Sequence, residues 1–176
     1  MKQTIFFITL FIALGLMSCK KDKTENPIEF KFQLLDTLGN EKTVFNEGEN
    51  IVFSFQIINN TSENLMLENF FPNDDLFRLF KLNMSEVIVN VGIPYEAYVK
   101  VDKFSILEGD TLKINYPWYN NRIWKPEYSI LSGGKLNPRL SSGSYMTSFS
   151  QSFSFSFDGE ILKTETKYFK IQFLIK

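Results

Sequence analysis

The chain contains no histidine. That absence removes the commonest general base, the commonest side-chain metal ligand and every arrangement in which histidine activates a serine or cysteine nucleophile. Thiols are almost missing too, since Cys19 is the single cysteine in 176 residues. No basic excess exists: 19 Lys and Arg stand against 20 Asp and Glu, which is not the charge of a nucleic-acid binder. No stretch holds a 3.6-residue apolar period over three turns, so long amphipathic helices are not expected. The apolar run from Ile5 to Met17 falls short of the roughly 20 residues that span a bilayer. Carboxylates or lysines can catalyse on their own, but these gaps together make the chain read as non-catalytic.

The first residues have three zones: Lys2 gives a positive start, Ile5 to Met17 an apolar run, and small Ser18 precedes Cys19. That order is a secretory signal peptide. The junction "LMSC", Leu16 to Cys19, resembles the lipobox of bacterial lipoproteins. The resemblance implies acylation of the Cys19 thiol, palmitate being the expected type of chain, then cleavage before Cys19 and acylation of the new amino terminus. The competing reading is a plain or uncleaved signal peptide with Cys19 incidental. Two or three acyl chains, at about 0.8 kcal/mol per buried methylene, would hold the protein on a membrane. "KKDKTENP" then reads as a flexible tether. Cleavage removes Lys2 and no acid, so the formal charge of −1 becomes one unit more negative.

"SCKKD" is similar to the start of many lipoproteins of the Bacteroides and Flavobacterium groups. Lys20 stands where an aspartate would retain some lipoproteins at the inner membrane, so the resemblance implies the outer membrane, on its periplasmic face or at the cell surface. The domain plan is a signal peptide at 1–18, lipidated Cys19 and a tether at 19–27, and one folded unit at 28–176.

Almost every segment after Pro27 alternates as a strand does: "IEFKFQLLD" (28–36), "NIVFSFQII" (50–58), "EVIVNV" (86–91), "AYVKV" (97–101) and "DTLKINY" (110–116). Turn signals separate them, among them "TLGN", "NEGEN", "NNTSEN", "FPNDD" and "EGD". Short strands at such spacing indicate an antiparallel sandwich or barrel. The clearest alternation puts Tyr145, Thr147, Phe149, Gln151, Phe153, Phe155 and Phe157 on one face and Ser148, Ser150, Ser152, Ser154 and Ser156 on the other. Asp158-Gly159 suits a type I′ hairpin turn. The returning strand ends in Phe169, Ile171, Phe173 and Ile175, which requires a parity change or bulge near Thr164 to Tyr168. The serine face is either a polar binding surface or the solvent side of an outer strand.

"FNEGENIVFSFQIINNTSENLML", "ILEGDTLKINYPW" and "LSSGSY", in that order, resemble immunoglobulin-like domains related to the bacterial intracellular proteinase inhibitor family. The resemblance covers residues 28 to 176 and implies an all-β, antiparallel immunoglobulin-like β-sandwich, with an aromatic-rich insertion near 116–138. The family name implies protease inhibition, but no inhibitory motif maps onto this sequence.

The best site candidate is "NYPWYNNRIWKPEYS" (115–129). Trp118, Tyr119, Trp124 and Tyr128 offer flat faces for sugar rings, with Asn120, Asn121, Arg122 and Glu127 as hydrogen-bonding neighbours. The same residues equally suit a long loop packed onto itself, with a Trp in the core. Asn73, Asp74 and Asp75 are hard oxygen donors, but too few for a calcium shell, and turn chemistry explains them. Glu47, Glu49, Glu68, Asp74, Glu108 and Asp110 sit mostly at turns, and no pair stands out as a glycosidase dyad. "DTL" at 36–38 and 110–112 resembles a short O-glycosylation pattern, which implies Thr37, in a turn, ahead of Thr111. The expected protein is a lipid-anchored binding module that needs no metal or cofactor. Its partner would be a glycan or an envelope protein, with protease inhibition through the 118–138 loop as the alternative.

Overall fold

The computed structural model describes residues 26–68, 76–84, 86–94, 103–118 and 137–176. Cys19 and the signal peptide, Asn73 to Asp75, the strand expected at 97–101, and Tyr119, Trp124 and Tyr128 lie outside the described residues.

Two-residue alternation of apolar and polar side chains suits a pleated strand with one buried face. The described residues form β1 (Ile28–Leu35), β2 (Val44–Phe45), β3 (Ile51–Asn59), β4 (Leu65–Glu68), β5 (Arg78–Asn83), β6 (Glu86–Gly92), β7 (Lys103–Ile106), β8 (Thr111–Trp118), β9 (Gly143–Gln151), β10 (Ser154–Phe157), β11 (Glu160–Lys163) and β12 (Lys167–Ile175). Three sheets result, in the orders β1-β3-β8, β2-β12-β9-β5-β6 and β11-β10-β4-β7. The pairings are antiparallel except that β2 runs parallel to β12. The expected antiparallel sandwich is therefore the fold. Order β1-β3-β8 on one side and β12-β9-β5 on the other matches the two sheets of an immunoglobulin-type sandwich.

Phenylalanine fills the space between the sheets. Phe55 meets Phe149 edge-on at 5.4 Å, Phe149 stacks on Phe169 at 4.7 Å, and Phe32 stacks on Phe77 at 5.2 Å. Phe30 reaches Phe153 at 4.6 Å. Each such pair stabilises by about 0.5–1.5 kcal/mol beyond the area it buries.

Three local devices hold the topology. Tyr145, near the start of β9, donates its hydroxyl to the carbonyl of Ser141 at 2.8 Å, the tyrosine corner of immunoglobulin-like sandwiches. Asn59, fully buried at the end of β3, donates from Nδ2 to the carbonyls of Glu63, Ile106 and Leu107 at 2.7, 3.1 and 3.0 Å. Its Oδ1 accepts from the amide and hydroxyl of Thr61, which tightens the turn into β4. Pro117, which cannot donate to a ladder, sits in β8 at the sheet's edge, where that loss is tolerated.

The closing hairpin is present with its Asp158-Gly159 turn, both residues at positive φ (47° and 84°) as a type I′ turn requires. It is split between two sheets: β9 and β12 pair in one, β10 and β11 in the other. Gln151 faces Lys167 and Ser154 faces Lys163, so residues 152–153 stand against 164–166. That one-residue excess is the parity change expected near Thr164. The serine face does point outward, but β9 and β10 are interior strands flanked on both sides, not outer ones. The reason is that β4 and β5 add beyond them, a pairing between distant segments that alternation alone does not reveal.

Candidate functional site

Register fixes the two ends of the sandwich. Ile28 pairs with Asn59 and Ile58 with Thr111 at one end; Leu35 pairs with Val52 and Ile51 with Trp118 at the other. Asn60 holds the incoming chain at the first end through its amide to Pro27 and its side chain to Asn26. The aromatic-rich insertion leaves β8 at the second end, one strand length away, about 25 Å for eight residues.

Trp118 closes the base of that insertion. Its side chain is 0% exposed, and Nε1 donates to the carbonyl of Pro138 at 2.9 Å. The expectation that Trp118 offers a stacking face is corrected by this burial: the indole packs in the core, and its single donor is spent on the returning chain. Asn137 adds a 3.1 Å hydrogen bond from Nδ2 to the carbonyl of Ile93. Tyr119, Trp124 and Tyr128, with which Trp118 was grouped, lie between these two stems and outside the described residues.

The returning segment is pinned across the turn between β2 and β3. Arg139 donates to the carbonyl of Glu47 at 3.3 Å, and the Glu47 carboxylate accepts from the amide of Ser142 at 2.6 Å. Gly48, at φ +79°, leaves room for Arg139: a Cβ there would lie 3.1 Å from Nε. Lys42 and Glu49 form an ion pair beside the same turn, and Glu49 also accepts from the amide of Asn46 at 2.8 Å. Lys81 reaches Ser141 Oγ at 2.7 Å and lies over the Tyr145 ring at 5.6 Å. These contacts use the local polar groups to fix the stems of the insertion. Glu47 and Glu49 are therefore turn and stem residues.

Thr37 lies half-exposed in the turn after β1, as expected, whereas Thr111 opens β8 opposite Ile58. Asp36 organises the first turn, accepting from the amides of Leu38 and Asn40 at 2.8 and 2.9 Å. Its slight burial raises the pKa, but the hydrogen bonds from Asn40 and Leu38 and the charge of Lys42 outweigh that and hold the carboxyl below its ordinary value. Among the described residues no group of three or more Asp, Glu, His or Cys could hold a metal ion, and no helix is long and apolar enough to cross a membrane.

Tyr168 was not singled out in the sequence, yet it stands 83% exposed on β12, opposite Ser150. The signal was the parity change itself, which turns Phe169 inward and therefore Tyr168 outward.

No protein-family model matches the chain, and no curated protein matches it. Among solved structures, the chain is similar to a β-glucosidase from Listeria innocua in complex with gluconolactone, at 12% identity and a TM-score of 0.32. The match covers 84% of this chain and 16% of that enzyme, and a likeness at this level bears on neither site nor activity.

Proposed function

We propose that the protein is a non-catalytic lipoprotein, anchored in the outer membrane through acyl chains on Cys19, that serves as a binding or interaction module. Its partner is a glycan or an envelope protein met by the insertion between Trp118 and Asn137. The observation that carries this reading is the opposition of the two ends. The chain from the anchor enters beside Asn60, and the insertion leaves from a base clasped by Trp118 and Pro138 at the far end. A sandwich so arranged is a spacer that holds its insertion away from the membrane on a rigid support. Trp124, Tyr119 and Tyr128 are the aromatic residues assigned to contact, while Trp118 is structural.

Tryptophan fluorescence of residues 19–176 carrying Cys19→Ser, titrated with a glycan panel, tests the glycan form. A saturable shift retained in Trp118→Phe and lost in Trp124→Ala supports it. An unresponsive emission, with no envelope protein crosslinked through position 124, sinks both forms. The clasped base is also what a substrate-like inhibitor loop requires, so the second reading is protease inhibition. Stoichiometric loss of protease activity would favour it over the first.

A further inference from the structure

The amino-terminal part of β1 is an unpaired sheet edge. β1 closes one side of the order β1-β3-β8, so its ladder runs along β3 alone. The Leu34 carbonyl accepts from the amide of Lys42, so the backbone groups of Leu34 point away from β3. Alternation points the amides and carbonyls of Ile28, Phe30 and Phe32 the same way. These outward groups meet no partner among the described residues. The side chains of Ile28, Phe30 and Phe32 stay partly uncovered although they pack on the core, whereas Phe53, Phe55 and Ile57 of the neighbouring strand are 0% exposed. The edge lacks a neighbour for its hydrogen bonds and for its apolar side chains alike.

The solvent side of the same stretch carries an acid and a base in a telling order. Glu29 and Lys31 flank Phe30, and both are exposed. A second β1 turned about a two-fold axis through Phe30, perpendicular to the sheet, sets Phe30 opposite the partner's Phe30 and Ile28 opposite the partner's Phe32. It also sets Glu29 opposite the partner's Lys31, twice over. The outward groups of residues 28, 30 and 32 then make the hydrogen-bonded pairs. Glu29 and Lys31 fall in the closer positions between them, with Cα atoms about 4.5 Å apart. Lys31 already has one carboxylate, that of exposed Glu41 at 3.4 Å, and its three donors leave room for a second. The match depends on spacing. On the edge strand β11, Glu160 and Lys163 stand three apart and point to opposite faces, so no two-fold pairing joins them. Along β12 ahead of its pairing with β2, residues 167 to 172 include two lysines and no acid.

We infer that β1 pairs with β1 of a second copy of this chain, joining two three-stranded sheets into one of six strands. Opposite charges fix the register, since opposed Glu and Lys stabilise a cross-strand position and like charges destabilise it. The ladder covers Ile28 to Phe32 and no more, because from Leu34 onward the chain returns through Glu41 and Lys42 and closes the edge itself. So short a ladder makes a weak dimer that forms with concentration. The strands are antiparallel, so paired copies point in opposite directions and do not stand side by side on one membrane. The pairing needs neither the anchor nor the insertion.

Sedimentation velocity of residues 19–176 carrying Cys19→Ser, from micromolar to millimolar concentration, decides it. The expected result is a dimer that grows with concentration and weakens with salt. Glu29→Lys and Lys31→Glu each set like charges opposite one another and should each weaken it roughly tenfold or more. An equimolar mixture of these two variants should dimerise again, because each strand then meets the opposite charge at both positions. Glu160→Lys on β11 is the control for general charge and should leave the dimer intact. Hydrogen exchange on the wild-type sequence reads the same edge without substitution: the amides of Phe30 and Phe32 should slow as concentration rises. That measurement decides the matter if a charge variant fails to fold. A monomer up to millimolar concentration, a dimer untouched by Glu29→Lys, a mixture of folded variants that stays monomeric, or amides at 30 and 32 indifferent to concentration would each overturn the inference.

Discussion

The indole nitrogen of Trp118 and the carbonyl oxygen of Pro138 lie 2.9 Å apart, joined by a hydrogen bond across twenty residues of chain. The contact turns the last residue of β8 into the clasp of a loop, and it explains why a tryptophan at a strand's end can be wholly buried. Trp118→Ala should cost about 3–5 kcal/mol through the cavity it leaves. Trp118→Phe keeps most of the volume but leaves the Pro138 carbonyl without its donor, costing about 1–3 kcal/mol. Chemical denaturation gives both values, and a wild-type midpoint in Trp118→Ala would place the indole outside the core.

Asn59 is the second stitch between distant segments. Asn59→Ala should destabilise by about 2–4 kcal/mol, since three carbonyls lose a buried donor. Asn59→Asp should be worse than alanine because it points a carboxylate at those same carbonyls. Thermal melts of the two variants test the order; an aspartate variant as stable as wild type would show that the amide is not the donor.

Thr147 is fully buried between Tyr145 and Phe149, and its Oγ1 finds no hydrogen-bond partner. Thr147→Val keeps the shape and removes the unpaired hydroxyl, so stability should stay level or rise by about 1 kcal/mol. Thr147→Ser retains the hydroxyl and removes a methyl, so it should lower the melting point. Calorimetry on the pair distinguishes the two contributions, and a destabilised valine variant would count against the unpaired hydroxyl.

Asp36 gives a dependence on pH of known sign. Its folded pKa lies below the ordinary value, so its contribution is present above that value and fades as pH falls through the lowered one. Asp36→Asn should therefore be less stable than wild type near neutrality, by under about 1 kcal/mol for so exposed a turn. The difference should shrink in strong acid. A gap that persists unchanged to about pH 2 would contradict the assignment.

Cys19 carries the anchor in the proposed function. Metabolic labelling with an alkynyl palmitate should mark the protein, and Cys19→Ala should abolish both the label and its partition into detergent. Labelling that survives in Cys19→Ala would remove the anchor from that site.

What could be read from the sequence was local. Alternation marked β1, β3, β6 and β8, and Asp158-Gly159 marked the hairpin, because period and turn chemistry depend on neighbouring residues. The sequence left Trp118 open between a stacking face and the core, and the contact with Pro138 that decides it is not local; the role of Asn59 was not legible, since its acceptors Ile106 and Leu107 come 47 and 48 residues later. The serines read as an outer strand's solvent face because nothing nearby announces β4 and β5 as flanking strands. The remaining aromatic candidates, Tyr119, Trp124 and Tyr128, lie outside the described residues.

The crossing in the last hairpin sets which side of β12 is inside by a count and not by composition. Two residues, 152–153, oppose three, 164–166. Deleting one of the three would turn the strand over, delivering Lys170 and Gln172 to the core and Phe169 and Ile171 to water. Substitutions at Glu165 and Thr166 should be absorbed, and Thr164 should tolerate those that keep an acceptor for the Phe153 amide, whereas a change of length there should not be absorbed. In a lineage that carries this fold, that short connector should drift in chemistry beyond Thr164 and hold its number of residues fixed.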